Sequence, residues 1–360
     1  MVFGTFSDPL LAGTFWFGAG VLATTLVLLV ATALMRVRLL ARLARERAAA
    51  QLWNPLFAEC TERVPDVLPR PRRRDAEFLL VLWCKAQESL RGEAQERLRT
   101  MAERVGVTLD ALRLLSKGNA RLKLIALVSV GHLREPRAVP LLLRLIAHPS
   151  ALVSMTAAQA LLRVDEISLA VPRVLAETVR RSDWALAKLV AMLVECDPEK
   201  VGPLLAAAIR TRLHAPRQDP GSGGLARLLR LHVCVNPQAV REAVLEVLRS
   251  VQQAQPLVAA LDALWHPEDA GHARRLLGHE ERTVREAAAR ALGRAGGRED
   301  FARLCAALAD RNRPVRYAAA QALCALPEID VAELSALPGR LDDRYAADML
   351  RHALAEQSAP

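Results

Sequence analysis

The chain has 360 residues, 52 % apolar but only 4 % aromatic, and basic residues outnumber acidic ones by ten (49 − 39). So much Ala and Leu with so few aromatics favours helices packed closely through small side chains, and no run alternates like a strand. No phosphate-binding G-x-x-x-x-G-K-[ST], no nucleophile-elbow G-x-S-x-G and no H-x-x-x-H pair is present, which removes the commonest nucleotide, hydrolase and zinc chemistries.

Residues 9–35 carry no charge. Twenty-seven helical residues span roughly 40 Å, enough to cross a bilayer core of ~30 Å with some tilt. Phe15, Trp16 and Phe17 stand where an interfacial aromatic belt would. Ala31-Thr32-Ala33 imitates a signal-peptide cleavage site. However, the preceding segment lacks Lys and Arg and carries Asp8, and the following one is strongly basic, so the run reads as a retained anchor. Arg36, Arg38, Arg42, Arg45 and Arg47 then hold that end in the cytoplasm by the positive-inside rule, leaving residues 1–8 outside. The expectation is a single-pass protein of the inner (plasma) membrane. Arg far exceeds Lys, as in GC-rich bacterial coding.

Residues 36–63 continue as a basic juxtamembrane helix, suited to anionic lipid at about 1 kcal/mol per surface-bound Lys or Arg. Residues 36–74 hold ten Arg against four acidic residues, a local excess of +6. Residues 64–74 (VPDVLPRPRRR) form an extended Pro/Arg linker. Residues 75–116 make a helical adaptor. Its 78–84 run is uninterruptedly apolar yet too short to span a membrane.

From 117 to 354 the chain repeats itself. Apolar residues at offsets 0, 3, 4, 7 and 8 mark one face of a helix beginning near 122, 153, 184, 225, 257, 284, 315 and 342. The clearest copies are Val284, Ala287, Ala288, Ala291, Leu292 and, thirty-one residues on, Val315, Ala318, Ala319, Ala322, Leu323. Lys188 breaks the copy at 184, and Asp342 the last one. A companion helix recurs as Ala138-Val139-Pro140-Leu141-Leu142, Ala170-Val171-Pro172-Arg173-Val174 and Val201-Gly202-Pro203-Leu204-Leu205. Proline early in a helix costs little, because first-turn N–H groups have no intrahelical acceptor. Such a period marks a stacked-helix solenoid. The interval of 41 between 184 and 225 accommodates an insertion at 214–224 (HAPRQDPGSGG), and residues 355–360 are a tail.

The stretch from Arg134-Glu135-Pro136 through His148-Pro149 to Val153…Leu161 resembles one short HEAT repeat of the phycobilin-lyase-like type, and residues 283–293 are similar to its second helix. The resemblance implies an all-α, right-handed α-solenoid of about eight hairpins behind one transmembrane helix. It also implies a structural Asp310–Arg316 pair, with His148 and His279 standing where Asp310 stands. It says little about chemistry, because fold does not fix function. A HEAT-like di-iron hydroxylase would need several His-Glu pairs, and only His279-Glu280 is present. No enzyme activity, cofactor or metal is therefore expected, the six cysteines read as buried free thiols, and a phycobilin-lyase-like activity is the rival that the resemblance permits. A nucleic-acid-binding role is a weaker rival, since acidic residues are nearly as abundant and aromatics for stacking are few.

The reading reached is a membrane-tethered cytoplasmic scaffold that binds a membrane-associated protein. It would be an accessory subunit of an envelope system for polysaccharide synthesis, transport or secretion. Candidate partner-binding residues are Lys188, Arg227, Arg230, Arg285, Arg290 and Arg313.

Overall fold

A computed structural model describes residues 9–72, 75–214, 222–327 and 329–358. Among them are nineteen α-helices and no strand. The chain divides into two compact units, residues 1–133 and 134–360.

In the first unit, α1 (Pro9–Glu59) is one unbroken helix of 51 residues. It has three zones. The apolar zone is exposed along its described length, as it must be if lipid is its solvent. Residues 36–48 are exposed except for half-buried Arg42. From Ala49 the helix enters a core, where Ala49, Trp53 and Phe57, with Cys60 just beyond it, are buried.

That core is completed by α2 (Ala76–Ser89), α3 (Glu93–Val105), α4 (Val107–Lys117) and α5 (Ala120–Leu133). The 78–84 run lies in α2 and buries Phe78, Leu79, Leu80, Trp83 and Cys84. Trp83 places its ring there because its indole N–H reaches the Leu98 carbonyl at 3.1 Å. The C-terminal end of α1 is held by Arg97, which donates to the carbonyls of Cys60 and Thr61 at 3.0 and 2.6 Å. Its side is held by Arg42, 2.7 Å from Glu77 and over the Phe78 ring. Gly106, at φ +85°, lets the chain pass directly from α3 into α4.

The second unit is a succession of helical hairpins: α6/α7 (Val139–Leu145, Ala151–Val164), α8/α9 (Ile167–Arg180, Leu186–Val194) and α10/α11 (Pro198–Leu213, Ser222–Val235). These continue as α12/α13 (Arg241–Ser250, Ala254–Asp262), α14/α15 (Ala270–Leu276, Arg282–Ala295), α16/α17 (Arg313–Ala325 closing Phe301–Ala307) and α18/α19 (Val331–Ala336, Arg344–Ser358). Second helices stack in order from α9 to α19. Seven of the eight predicted hairpins lie in this unit among the described residues, and the one expected near 122 is α4/α5, which belongs to the first unit.

Packing follows the small residues. Ala287, Ala288 and Ala291 of α15 and Ala318, Ala319 and Ala322 of α17 are buried. A Cβ added at Gly293 would lie 2.9 Å from the Ala322 Cα, so these two backbones nearly touch. Of the three companion-helix prolines only Pro140 sits in the first turn, that of α6, as the sequence predicts. Pro172 and Pro203 lie further in, as α8 and α10 start five residues before their proline.

Three details differ from the sequence pattern. The helix expected from 184 starts at Leu186 and buries Leu189, Met192 and Leu193, so exposed Lys188 lies beside the buried stripe instead of interrupting it. Trp184 is buried in the preceding turn, its indole N–H donating to the Ser154 hydroxyl at 2.9 Å. In α19 the buried set is Ala346, Ala347, Leu350 and Ala353, leaving Tyr345 exposed, and helix continues through most of the expected tail. Of the expected 214–224 insertion, residues 215–221 lie outside the described residues.

Candidate interaction surface

What an arginine-rich surface can bind depends on which of its guanidinium groups are already committed within the fold. At the turns before α7, α15 and α17 a side chain accepts the backbone N–H two residues on. His148 Nδ1 accepts from Ser150 and His279 Nδ1 from Glu281, each at 3.1 Å, and Asp310 Oδ1 accepts from Asn312 at 2.8 Å. The three positions that align in the sequence therefore do one job, and His279 is a turn residue.

Guanidinium groups then cap the carbonyls of those turns. Arg285 donates to the carbonyls of His279 and Glu280, both at 2.8 Å, and Arg316 to the Asp310 carbonyl at 2.9 Å. Ser154 occupies the matching place after His148, and there Arg181, arriving from the next turn, reaches the carbonyls of His148 and Pro149 at 2.7 and 3.1 Å. Arg227 likewise caps the carbonyls of Ser182 and Trp184. Burial holds the Arg227 guanidinium below its ordinary value, although it stays a cation at any ordinary pH.

The Asp310–Arg316 contact thus runs through the backbone. The carboxylate of Asp310 belongs to Arg285, in a bidentate pair of 2.7 and 3.1 Å that joins one hairpin to the next. Burial pushes the Asp310 carboxyl up, but the bonds from Arg285 and Asn312 outweigh it and hold it below its ordinary value.

A second ladder runs along the first helices. Arg241 reaches Asp269 at 2.8 Å and Glu268 at 2.7 Å. Arg274 reaches Asp300 at 2.6 Å and Glu299 at 2.7 Å. Each arginine grips the Glu-Asp pair that opens the following hairpin. The sequence signal was available in the pairs Glu268-Asp269 and Glu299-Asp300, thirty-one residues apart, but it becomes meaningful only once the hairpins are stacked.

Arg290 bonds Glu286 and Asp262, at 2.7 and 3.0 Å. Arg294 caps the Leu261 and Asp262 carbonyls and lies 5.1 Å from the centre of the exposed Trp265 ring. Of the six candidate partner-binding residues, Arg227, Arg285 and Arg290 are therefore committed to bonds inside the second unit, while Lys188, Arg230 and Arg313 are exposed.

Among the described residues no group of three or more His, Cys, Asp or Glu is placed to hold a metal ion. His232 of α11 is fully buried with no partner for either ring nitrogen, and burial lowers its pKa to about 4. It is a neutral core side chain at physiological pH.

Residues 257–324 match the family model for HEAT repeats. That stretch carries HEAT repeats. The matched region contains the Arg285–Asp310 bridge, the turn residue His279 and the closely packed α15/α17 pair, so these contacts lie within and between HEAT repeats. The crystal structure of an engineered protein is also similar, at 15 % identity and a TM-score of 0.31, covering 87 % of this chain and 95 % of that one. No curated protein matches.

Proposed function

We propose that this HEAT-repeat protein is a membrane-tethered scaffold whose cytoplasmic hairpins dock another protein at the bilayer surface. The observation that carries the reading is the three-zone helix α1, exposed and apolar, then exposed and basic, then buried in a folded core. An exposed apolar zone of this length is costly in water and favourable in lipid. Phe15, Trp16 and Phe17 would mark one interface. Arg36, Arg38, Arg45 and Arg47 would face anionic headgroups at the other, while Arg42 is drawn toward Glu77. By the positive-inside rule this puts the repeats in the cytoplasm.

HEAT hairpins supply a long surface with little chemistry, which suits docking. Exposed Lys188, Arg230 and Arg313 are the basic positions on second helices proposed to meet the partner. Confinement to the bilayer raises the effective concentration of a membrane partner, consistent with an accessory subunit of an envelope complex for polysaccharide synthesis, transport or secretion.

Photo-cross-linking from positions 188, 230 and 313 in native membranes, followed by mass spectrometry, tests this. Reproducible capture of one membrane-associated protein is the expected result. Release of the chain by alkaline carbonate, or a carboxy-terminal reporter active only outside the cytoplasm, overturns the tether or its orientation.

A further inference from the structure

Resting on the reading of α1 as a membrane span, we infer that α1 carries a self-association seam for a second copy of this chain, in parallel. Ala19, Ala23, Leu26, Val30, Ala33, Val37, Leu40 and Ala44 follow one another at alternating steps of four and three. That is the a/d spacing of a left-handed two-helix packing, and it runs without interruption out of the apolar zone into the charged one.

Within the apolar zone such a stripe carries little information, since every neighbour is apolar. The charged zone is discriminating. Residues 36–46 contain Arg36, Arg38, Arg42, Arg45 and Glu46, yet Val37, Leu40 and Ala44 keep the seam free of charge. Arg38 and Arg45 fall at b, Arg42 at f and Glu46 at c, on the outer side of the helix, and Arg36 falls at g, a flanking position where such pairs ordinarily carry charge. Val37 and Leu40 stay 63 % and 58 % exposed, in a stretch that is not buried in lipid on this reading.

Two further observations select the occupant. The larger seam residues are Val30 and Val37 at a, with Leu26 and Leu40 at d. β-Branched residues at a with Leu at d favour parallel two-stranded assemblies over higher ones. The second observation is where the folded core attaches. Arg42 and Ala49 lie at f and Trp53 at c, away from the seam, and Phe57 at g comes well beyond the last seam residue, Ala44, so along the seam itself the core grips α1 from the other side. A second helix can lie along a and d without meeting the core that its partner carries. The pattern also stops where it must, since the next positions are Arg47 and Gln51, just as the helix enters the core.

Cysteine cross-linking in native membranes tests the seam, using the full chain with Cys234→Ala, Cys305→Ala and Cys324→Ala. Val37→Cys, Leu40→Cys and Ala44→Cys are compared with Arg38→Cys and Arg45→Cys under copper-phenanthroline oxidation. Disulfide-linked dimers should form several-fold more at 37, 40 and 44 than at 38 and 45. Adding Leu40→Glu to Val37→Cys should abolish the dimer. Equal cross-linking at all five positions, or none, in chain that resists carbonate extraction overturns the seam and leaves the membrane span standing. Chain found in the soluble fraction overturns the span, and the seam with it.

Discussion

Replacing His232 by Leu should flatten the acid sensitivity of the second unit. The imidazole is fully buried in α11, and neither nitrogen has a partner. Its folded pKa of about 4 lies below the ordinary value of 6.5. A depressed folded value means that the unfolded chain takes up the proton first as pH falls. Stability conferred by keeping the ring neutral is therefore complete above about pH 7 and is lost progressively down to about pH 4. Two and a half pKa units at 1.36 kcal/mol each set a limit of about 3 kcal/mol, of which about 2 kcal/mol is gone by pH 5. His232→Leu, similar in size and without titratable nitrogens, removes that term. It should also gain about 1 kcal/mol at neutral pH, because two orphaned polar atoms leave the core. Urea unfolding of the full chain in mild detergent, followed by circular dichroism at pH 7 and pH 5, gives the comparison. The wild-type chain should lose about 2 kcal/mol more than the variant over that range. Asp310, also held low, loses its contribution only at more acid pH and in both proteins alike. Parallel losses for wild type and variant would refute the reasoning, since they would require the buried ring to reach water or an acceptor.

The remaining expectations concern the stacking bonds. Arg285→Met strands a shielded carboxylate and uncaps two carbonyls, so it should cost about 3 kcal/mol. Combined with Asp310→Asn in a double-mutant cycle, it should show coupling of about 1–3 kcal/mol, and additive losses would mean that the pair is not the bridge. Gly293→Ala sets helix propensity, a gain of up to about 1 kcal/mol, against a Cβ only 2.9 Å from the Ala322 backbone. Overpacking should win by about 1–2 kcal/mol, lowering the urea midpoint, whereas a raised midpoint would show that α15 and α17 can separate freely. Trp184→Phe keeps the buried ring but leaves Ser154 without its indole donor, and should cost about 1 kcal/mol in the same assay.

The hairpins were legible because their buried faces are local: apolar residues at 0, 3, 4, 7 and 8 lie on one side of any helix, whatever it packs against. The 184 copy misled for a physical reason. Trp184 is buried, but by the turn around it and the Arg227 cap instead of by a helix face, so counting from it displaced the register onto Lys188. Arginine partners were the least legible feature. Arg285 and Asp310 are twenty-five residues apart, Arg241 and Asp269 twenty-eight, and only stacking brings them together. The shared role of His148, His279 and Asp310 shows the opposite case: aligned positions with different chemistry, all able to accept one N–H. The buried state of His232 could be read from its place in the Leu225–Leu229 stripe, but its lack of any acceptor could not.

The continuity of α1 has a mechanical consequence. From Met35 to Ala49 the helix advances about 21 Å without a break. A straight α-helix is stiff over such a length, bending only gently, and beyond it the helix is clamped by Arg97 and the buried Trp53 and Phe57, with Arg42 holding its side. The first unit is therefore carried on a lever and not on a leash. A tilt of about 10° in the apolar zone would move Ala49 by nearly 4 Å over that length, and a rotation about the helix axis would turn the clamped core through the same angle. A flexible linker would absorb either motion before it reached the folded core.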